Sequence, residues 1–288
     1  MTGGLTLEAA AKLNLFLRVL AREEDGYHGI ETLFCRVGLA DTLTFEPREP
    51  TGVTLDVEGS RTDVGPDEEN LAVRAARLVL DATGNRFGVA ITLTKRIPVA
   101  AGLGGGSSDA AAALQAVNAL AGNPVPRHEL FQFAARLGAD VPFFLSGAAL
   151  ALGWGRGERL FVVPPLPRAP VLVLCPPIAI RTVEAYGWVD QVRAGVGRRG
   201  AVALDLEALA SWGSVGRMAG NDFEVPVFGK HPEVRAAYEA LAATQPLVCR
   251  LSGSGAALFA IYRSERDRED ACLRLGRRFG PVIETETV

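Results

Sequence analysis

Between Ile97 and Leu114 the chain reads IPVAAGLGGGSSDAAAAL, with Gly102, Gly104, Gly105 and Gly106 run into Ser107, Ser108 and Asp109. The flanks decide what such a loop can be. Upstream, residues 86–98 (RFGVAITLTKRIP) alternate Val89, Ile91 and Leu93 with Ala90, Thr92 and Thr94, the period-two pattern of a half-buried strand. Downstream, Asp109 to Ala121 is Ala-rich, sets Ala113, Leu114, Val117, Leu120 and Ala121 in helical phase, and meets Gly122 as a stop. A slack linker joins independent units through polar flanks; this loop joins a strand to a helix of the same unit. A dinucleotide loop needs a third glycine where Ser107 stands, and a Walker A loop needs a Lys before Ser or Thr, which is absent. Two readings stay open: a tight structural turn, or a phosphate site in which glycine-permitted dihedrals turn backbone amides onto an anion at a helix N-terminus. Ser107 and Ser108 add hydroxyls within reach of phosphate or Mg²⁺.

Further helices are predicted over Asp67 to Thr83 and Arg127 to Leu137, with later ones near Leu204 to Trp212, Pro232 to Ala243 and Arg266 to Arg278. Strands are predicted in LNLFLRVL, DTLTFEP, GVTLDVEG and VLVLC, and a strand pair in VCRLSGSGAALFAIY. The Pro-rich run at residues 164–170 is the candidate boundary between units, and residues 195–200 (GVGRRG) read as an exposed loop. Strands and helices that mix without strict alternation indicate an α+β protein.

Thirty Lys plus Arg stand against thirty-three Asp plus Glu, scattered along the chain, so no basic footprint for nucleic acid exists and a small molecule is the expected partner. Cys35, Cys175, Cys249 and Cys272 are far apart and show no CxxC pair, which favours reduced thiols and a cytoplasmic setting over a metal site. The first residues lack a signal-peptide pattern, and no apolar run nears the ~20 residues that span a bilayer; no membrane association is expected. A homodimer is left open.

Two polar insertions in apolar context stand out. Ala11-Lys12-Leu13-Asn14-Leu15 puts a Lys and an Asn in a strand, where an edge Lys with its head in water is the commoner case. Gly138-Ala139-Asp140-Val141-Pro142-Phe143-Phe144 puts a carboxylate just past a helix, where a turn Asp is common. Together they suit a tuned acid–base pair, because apolar surroundings and a nearby cation push a carboxylate in opposite directions. Asp25-Gly26-Tyr27-His28 presents an aromatic ring beside an imidazole at a turn.

These segments carry a resemblance. PVAAGLGGGSSDAAAAL resembles the phosphate-binding motif of the GHMP kinases, AKLNL their N-terminal motif, GADVPFF the segment with their catalytic Asp, and LSGSGA (Leu251 to Ala256) their third motif. DGYH resembles the branch that phosphorylates diphosphocytidyl-methylerythritol, and the similarity runs from about Ala9 to about Ala260. The resemblance implies a two-domain α+β GHMP kinase fold: an N-terminal domain over 1–163 of the ribosomal protein S5 domain 2 type, and a ferredoxin-like α+β domain over 164–288. It implies ATP with Mg²⁺, with Pro98, Val99, Ala100, Ala101, Gly102, Leu103, Gly104, Gly105, Gly106, Ser107 and Ser108 around the triphosphate. It implies catalysis by Lys12 and Asp140, and substrate contacts from Asn14, Tyr27, His28, Thr182 and Tyr186, with Tyr27 and Tyr186 sandwiching a cytosine whose edge His28 reads. Asn221-Asp222-Phe223-Glu224 matches a family segment taken as structural. Ala10-Ala11 replaces a common Pro-Ala before Lys12, and Trp154 to Glu158 follows the family only loosely, which leaves that segment without a role. Kinases of mevalonate or homoserine would share Lys12, Asp140 and the loop but have no use for DGYH. A non-catalytic sensor on the same fold should have lost Lys12 or Asp140.

Overall fold

A computed structural model describes residues 3–59, 65–194 and 206–288. The N-terminal apolar stretches form two long strands, β1 (Leu5–Arg22) and β2 (His28–Arg48), paired antiparallel across the turn at 23–27. β3 (Val53–Gly59) and β4 (Gly88–Lys95) are parallel, so α1 (Leu71–Ala82) is their crossover. The chain continues through α2 (Gly105–Leu120), α3 (Arg127–Leu137), α4 (Val141–Ser146), β5 (Leu150–Gly155) and β6 (Arg159–Val162). Next come β7 (Pro170–Leu174), α5 (Thr182–Arg193), a 3-10 turn (Glu207–Ala210), α6 (Trp212–Met218), β8 (Gly220–Asn221), α7 (Glu224–Lys230) and α8 (Pro232–Ala242). β9 (Val248–Leu251), β10 (Leu258–Ile261), α9 (Glu265–Leu275) and β11 (Val282–Glu286) complete the described chain.

The strands form two sheets. The first runs β3-β4-β2-β1-β8, with β5 on β2 and β6 on β5. The second is antiparallel in the order β11-β7-β10-β9, so its four strands stand fourth, first, third, second in chain order, the ferredoxin-like arrangement. The chain leaves the first sheet for the second between Val162 and Pro170, across the Pro-rich run. One short return crosses back: Gly220 and Asn221 pair parallel with Phe16 and Leu17 of β1.

α2 lies on the first sheet, its Ala110, Ala111, Ala113, Leu114 and Val117 buried in one cluster with Phe34, Leu43, Phe45, Ile91 and Leu93. Small side chains let this helix approach the strands closely, while each fully buried Leu, Val or Phe contributes about 1.5–3 kcal/mol. A second cluster joins Ala11, Leu13 and Leu15 of β1 to Val171 and Val173 of β7 and Phe259 and Ile261 of β10. The two sheets therefore share a core, and one edge of that shared core opens as a cleft.

Several boundaries differ from the sequence reading. α2 begins at Gly105, not Asp109: Gly104 takes a left-handed φ of 74° as its cap, and the next two glycines are already helical. α1 begins at Leu71, not Asp67, because the Asn70 side chain accepts from the Ala72 amide and fixes the first turn there. The helix expected over Leu204 to Trp212 is a 3-10 turn followed by α6, which starts only at Trp212 behind its Ser211 cap; 204 and 205 lie outside the described residues. The GVGRRG loop also lies outside them. Among the described residues no helix is long and apolar enough to cross a membrane.

Candidate active site

The cleft has a volume of about 1660 Å³ and is walled by β1, the loop from β4 into α2, the α3–α4 turn, the DGYH turn and the start of α5. Lys12 and Asn14 stand two residues apart on β1, so they share a face of the strand. Register shifts between Ala10 and Lys12 and between Asn14 and Phe16 bracket the pair, and such bulges re-aim side chains. Lys12 is not the water-facing edge residue of the commoner case: it is 3% exposed, and its amide donates to Leu103 O at 3.0 Å, pinning the strand to the glycine loop.

The Lys12 ammonium donates to Asn14 Oδ1 at 2.6 Å and to Gly102 O at 2.9 Å, and lies 3.5 Å from Asp140 Oδ2. Asn14 in turn donates to Thr32 Oγ1 (2.8 Å) and accepts the Gly253 amide (3.0 Å), while Thr32 donates to Phe16 O (2.7 Å). The side-chain polar atoms of Lys12, Asn14 and Thr32 each have a partner, so the ammonium is held at one place in a low-dielectric wall. Asp140 immediately precedes the short α4, whose Pro142 sits in the first turn, and its carboxylate makes no capping bond. That leaves the carboxylate, 29% exposed, facing Lys12 and the cleft.

The glycine loop owes its path to close approaches. A Cβ on Gly102 (φ +81°) would stand 2.0 Å from Ser252 O, and one on Gly104 would stand 2.9 Å from the Phe144 ring. Gly104 O accepts the Ser108 amide as the first helical bond, and no side chain caps the helix, so the preceding amides at the N-terminus of this 16-residue helix have no intrahelical partner. Those donors and the positive dipole end face the cleft beside Lys12. Pro98 through Ser107 all line it; Ser108, expected with them, is buried and outside the lining. The third motif packs from the other sheet: Ser252 Oγ donates to Gly102 O (2.9 Å), and Ala257 N donates to Ala101 O (3.2 Å). The NDFE segment braces it, with Asn221 Nδ2 donating to Leu251 O and Gly253 O at 2.8 Å each and Glu224 accepting the Leu251 amide.

At the other end, His28 opens β2 and its ring stacks on Tyr186 of α5, with centroids 5.0 Å apart and planes at 14°. Tyr186 meets Phe223 edge-to-face, and burial, reinforced by the Asp140 charge, pushes its phenol up to about 12. Thr182 shares a hydrogen bond with Ser254 (3.1 Å). Tyr27 is 60% exposed, with the Arg156 guanidinium 4.0 Å from its ring centroid. Tyr27 and Tyr186 thus share one cleft, but in the described structure Tyr186 stacks on His28 and Tyr27 carries a cation.

Several lining residues escaped the sequence reading. Lys95, at the end of β4, pairs with Asp41 and, at 2.9 Å, with Asp109 under the first turn of α2; Asp41 also accepts the Arg96 and Ile97 amides, anchoring the loop's entry. Burial raises Asp109 to about 7 despite Lys95. Arg156, in the segment left without a role, pairs with Asp25 and Glu23. The TKRIP sequence signalled a basic strand end beside the loop, but nothing local signalled Arg156. Among the described residues no group of three or more His, Cys, Asp or Glu is arranged to hold a metal ion.

Comparison with known proteins agrees with this layout. Residues 70–148 match the GHMP kinases N terminal domain and residues 205–282 the GHMP kinases C terminal domain. A 4-diphosphocytidyl-2-C-methyl-D-erythritol kinase of Solibacter usitatus is 42% identical over 265 residues, covering 89% of this chain and 81% of its own. One of that description from Moorella thermoacetica is 40% identical, with 99% of each chain covered. A crystal structure described as 4-(cytidine 5'-diphospho)-2C-methyl-D-erythritol kinase superposes with a TM-score of 0.80 at 38% identity, covering 98% of this chain and 99% of that one.

Proposed function

From the chain's membership of the GHMP kinases, in the 4-diphosphocytidyl-2-C-methyl-D-erythritol kinase family, we infer that it transfers the γ-phosphoryl group of ATP to the 2-hydroxyl of that cytidine diphosphate derivative. This is a step in the methylerythritol phosphate route to isoprenoids. The observation that carries the reading is the Lys12–Asp140 pair, 3.5 Å apart, in one cleft with the uncapped N-terminus of α2 and the DGYH turn.

The steps follow from these groups. The amides of the glycine loop and the dipole of α2 hold the triphosphate, and Ser107 adds a hydroxyl. Magnesium brought in with the nucleotide would neutralise phosphate charge, and Ser107 at the mouth of the loop would be the side-chain hydroxyl nearest to it. Asp140 takes the proton of the 2-hydroxyl as the oxygen bonds to the γ-phosphorus and the bond to the bridging oxygen of ADP breaks. Lys12, fixed by Asn14 and Gly102, pairs with the Asp140 carboxylate and stabilises the oxygen as it loses its proton. Tyr27, His28 and Tyr186 receive the cytosine, and Thr182, in the same cleft wall, is assigned to the substrate. Residues 1–163 and 164–288 are proposed as the two domains. Action in the cytoplasm is proposed as well, in keeping with free thiols at Cys35, Cys175, Cys249 and Cys272.

The test offers the purified chain Mg-ATP with the cytidine diphosphate substrate, mevalonate or homoserine, and follows ADP release and the phosphorylated product. Turnover of the first alone is expected. Turnover of mevalonate or homoserine instead would sink the substrate assignment, and no turnover of any would favour a sensor.

A further inference from the structure

His28 and Asp190 are 162 residues apart in sequence, yet His28 Nε2 and Asp190 Oδ1 are 2.7 Å apart at the wall of the cleft. The imidazole is buried, the carboxylate on α5 is 39% exposed at its side chain, and both line the cleft. A carboxylate only accepts, so Nε2 is the donor in this bond. In the neutral ring the second nitrogen, Nδ1, is then a bare acceptor, and it has no protein partner among the described residues.

Which nitrogen carries the proton decides what the ring can read. Cytosine shows an exocyclic amino donor where uracil shows a carbonyl acceptor. Resting on the kinase reading above, we propose that Asp190 is a positioning residue for base choice: it holds the His28 proton on Nε2, so that Nδ1 accepts the amino group of cytosine. Offered uracil, the same nitrogen meets an acceptor and both atoms lose their partner, a mismatch that discriminates strongly where water is excluded. The stacking geometry fits. A base hydrogen-bonded in the plane of the imidazole lies close to parallel with Tyr186, whose ring is tilted only 14° from that of His28.

Two measurements decide it. The first is ¹⁵N NMR of the His28 ring in the whole, unliganded protein, where the shifts of the two nitrogens separate the tautomers. A ring protonated on Nε2 alone is expected, and a proton on Nδ1 overturns the proposal without any reference to catalysis. The second is kcat/KM for the cytidine substrate and its uridine counterpart, in the wild type and in Asp190→Ala. The preference for cytidine should fall about ten- to a hundredfold in the variant, mainly through a higher KM for the cytidine substrate. A residue that only held the fold would lower both substrates alike, so an unchanged ratio overturns the proposal while the kinase reading stands. Asp190→Asn keeps an oxygen acceptor for Nε2–H and should recover part of the preference; recovery no greater than Ala counts against the mechanism. If the wild type turns over neither substrate, the kinase reading fails and the base-choice proposal fails with it.

Discussion

Gly102 and Gly106 lie four residues apart in one motif, yet an added methyl group should have opposite consequences at the two. At Gly102 the backbone is left-handed, φ +81°, and a Cβ would stand 2.0 Å from Ser252 O, where ordinary contact begins at 3.4 Å. The left-handed conformation costs an alanine about 1–2 kcal/mol. Relief of the clash moves the loop by more than an ångström. That breaks or stretches the bonds Gly102 O accepts from Lys12 Nζ and Ser252 Oγ, both 2.9 Å. A neutral bond contributes about 0.5–1.5 kcal/mol and a charged one about 1.5–3 kcal/mol, so Gly102→Ala should lose about 3–6.5 kcal/mol in all. Against a usual total of about 5–15 kcal/mol, that is a melting shift on the order of 10 °C. The displaced Lys12 should also cost about a hundredfold in kcat, the usual effect of misplacing a reacting group by an ångström. At Gly106 a Cβ would meet only Leu71 Cδ1, at 3.9 Å, in helical backbone. Gly106→Ala should therefore hold stability or raise it by about 0.5–1 kcal/mol. Thermal melts and ADP release read both variants. Wild-type melting and turnover in Gly102→Ala, or equal damage in the two, would refute the reasoning.

Lys12→Met should separate catalysis from folding. Asn14 Oδ1 keeps the Gly253 amide and Gly102 O keeps Ser252 Oγ, so no buried acceptor is orphaned. Stability within about 1 kcal/mol of wild type is expected with kcat down about 10²–10³-fold, read by melting and ADP release. Asp109 should give the fold a pH signature. Its carboxyl titrates near 7 in the folded chain, raised by burial, against about 4 unfolded, so the folded state binds the extra proton between those values. Stability from this group is present below about pH 4 and lost as pH rises toward 7. Asp109→Asn should thus gain on the wild type across that window by no more than about 1.4 kcal/mol per pH unit in denaturant titrations.

Much of this was legible in the residues because it is local. Strand alternation before the loop and the Ala-rich helix after it excluded a slack linker, and the failed dinucleotide and Walker patterns left a tight turn or an anion site, all without tertiary knowledge. Helix starts were less legible. Gly105 and Gly106 argue against helix by propensity, at roughly 1 kcal/mol per glycine, but at Gly105 a Cβ would stand 2.9 Å from Lys95 Nζ and 3.0 Å from Ile97, a close approach that propensity does not register. α4 was missed because it is six residues long, although Asp140-Val141-Pro142 carries a start signal. The contacts that periodicity cannot carry were those across the cleft. Arg156 meets Asp25 across 131 residues and His28 meets Asp190 across 162, and only the folded topology brings them together. The shared core between the sheets likewise depends on β1 meeting β7 and β10, which no local pattern states.

The central claim is that Asp140, set beside Lys12, takes the proton from the acceptor hydroxyl, and Asp140→Asn tests it most directly. Calorimetry should find Mg-ATP binding retained, since the loop and helix amides proposed to hold the triphosphate are untouched. Single-turnover transfer to the cytidine diphosphate substrate should fall about 10²–10⁴-fold, the range a positioned general base contributes. A variant that binds Mg-ATP and still transfers phosphate within about tenfold of the wild-type rate would show that the proton goes elsewhere.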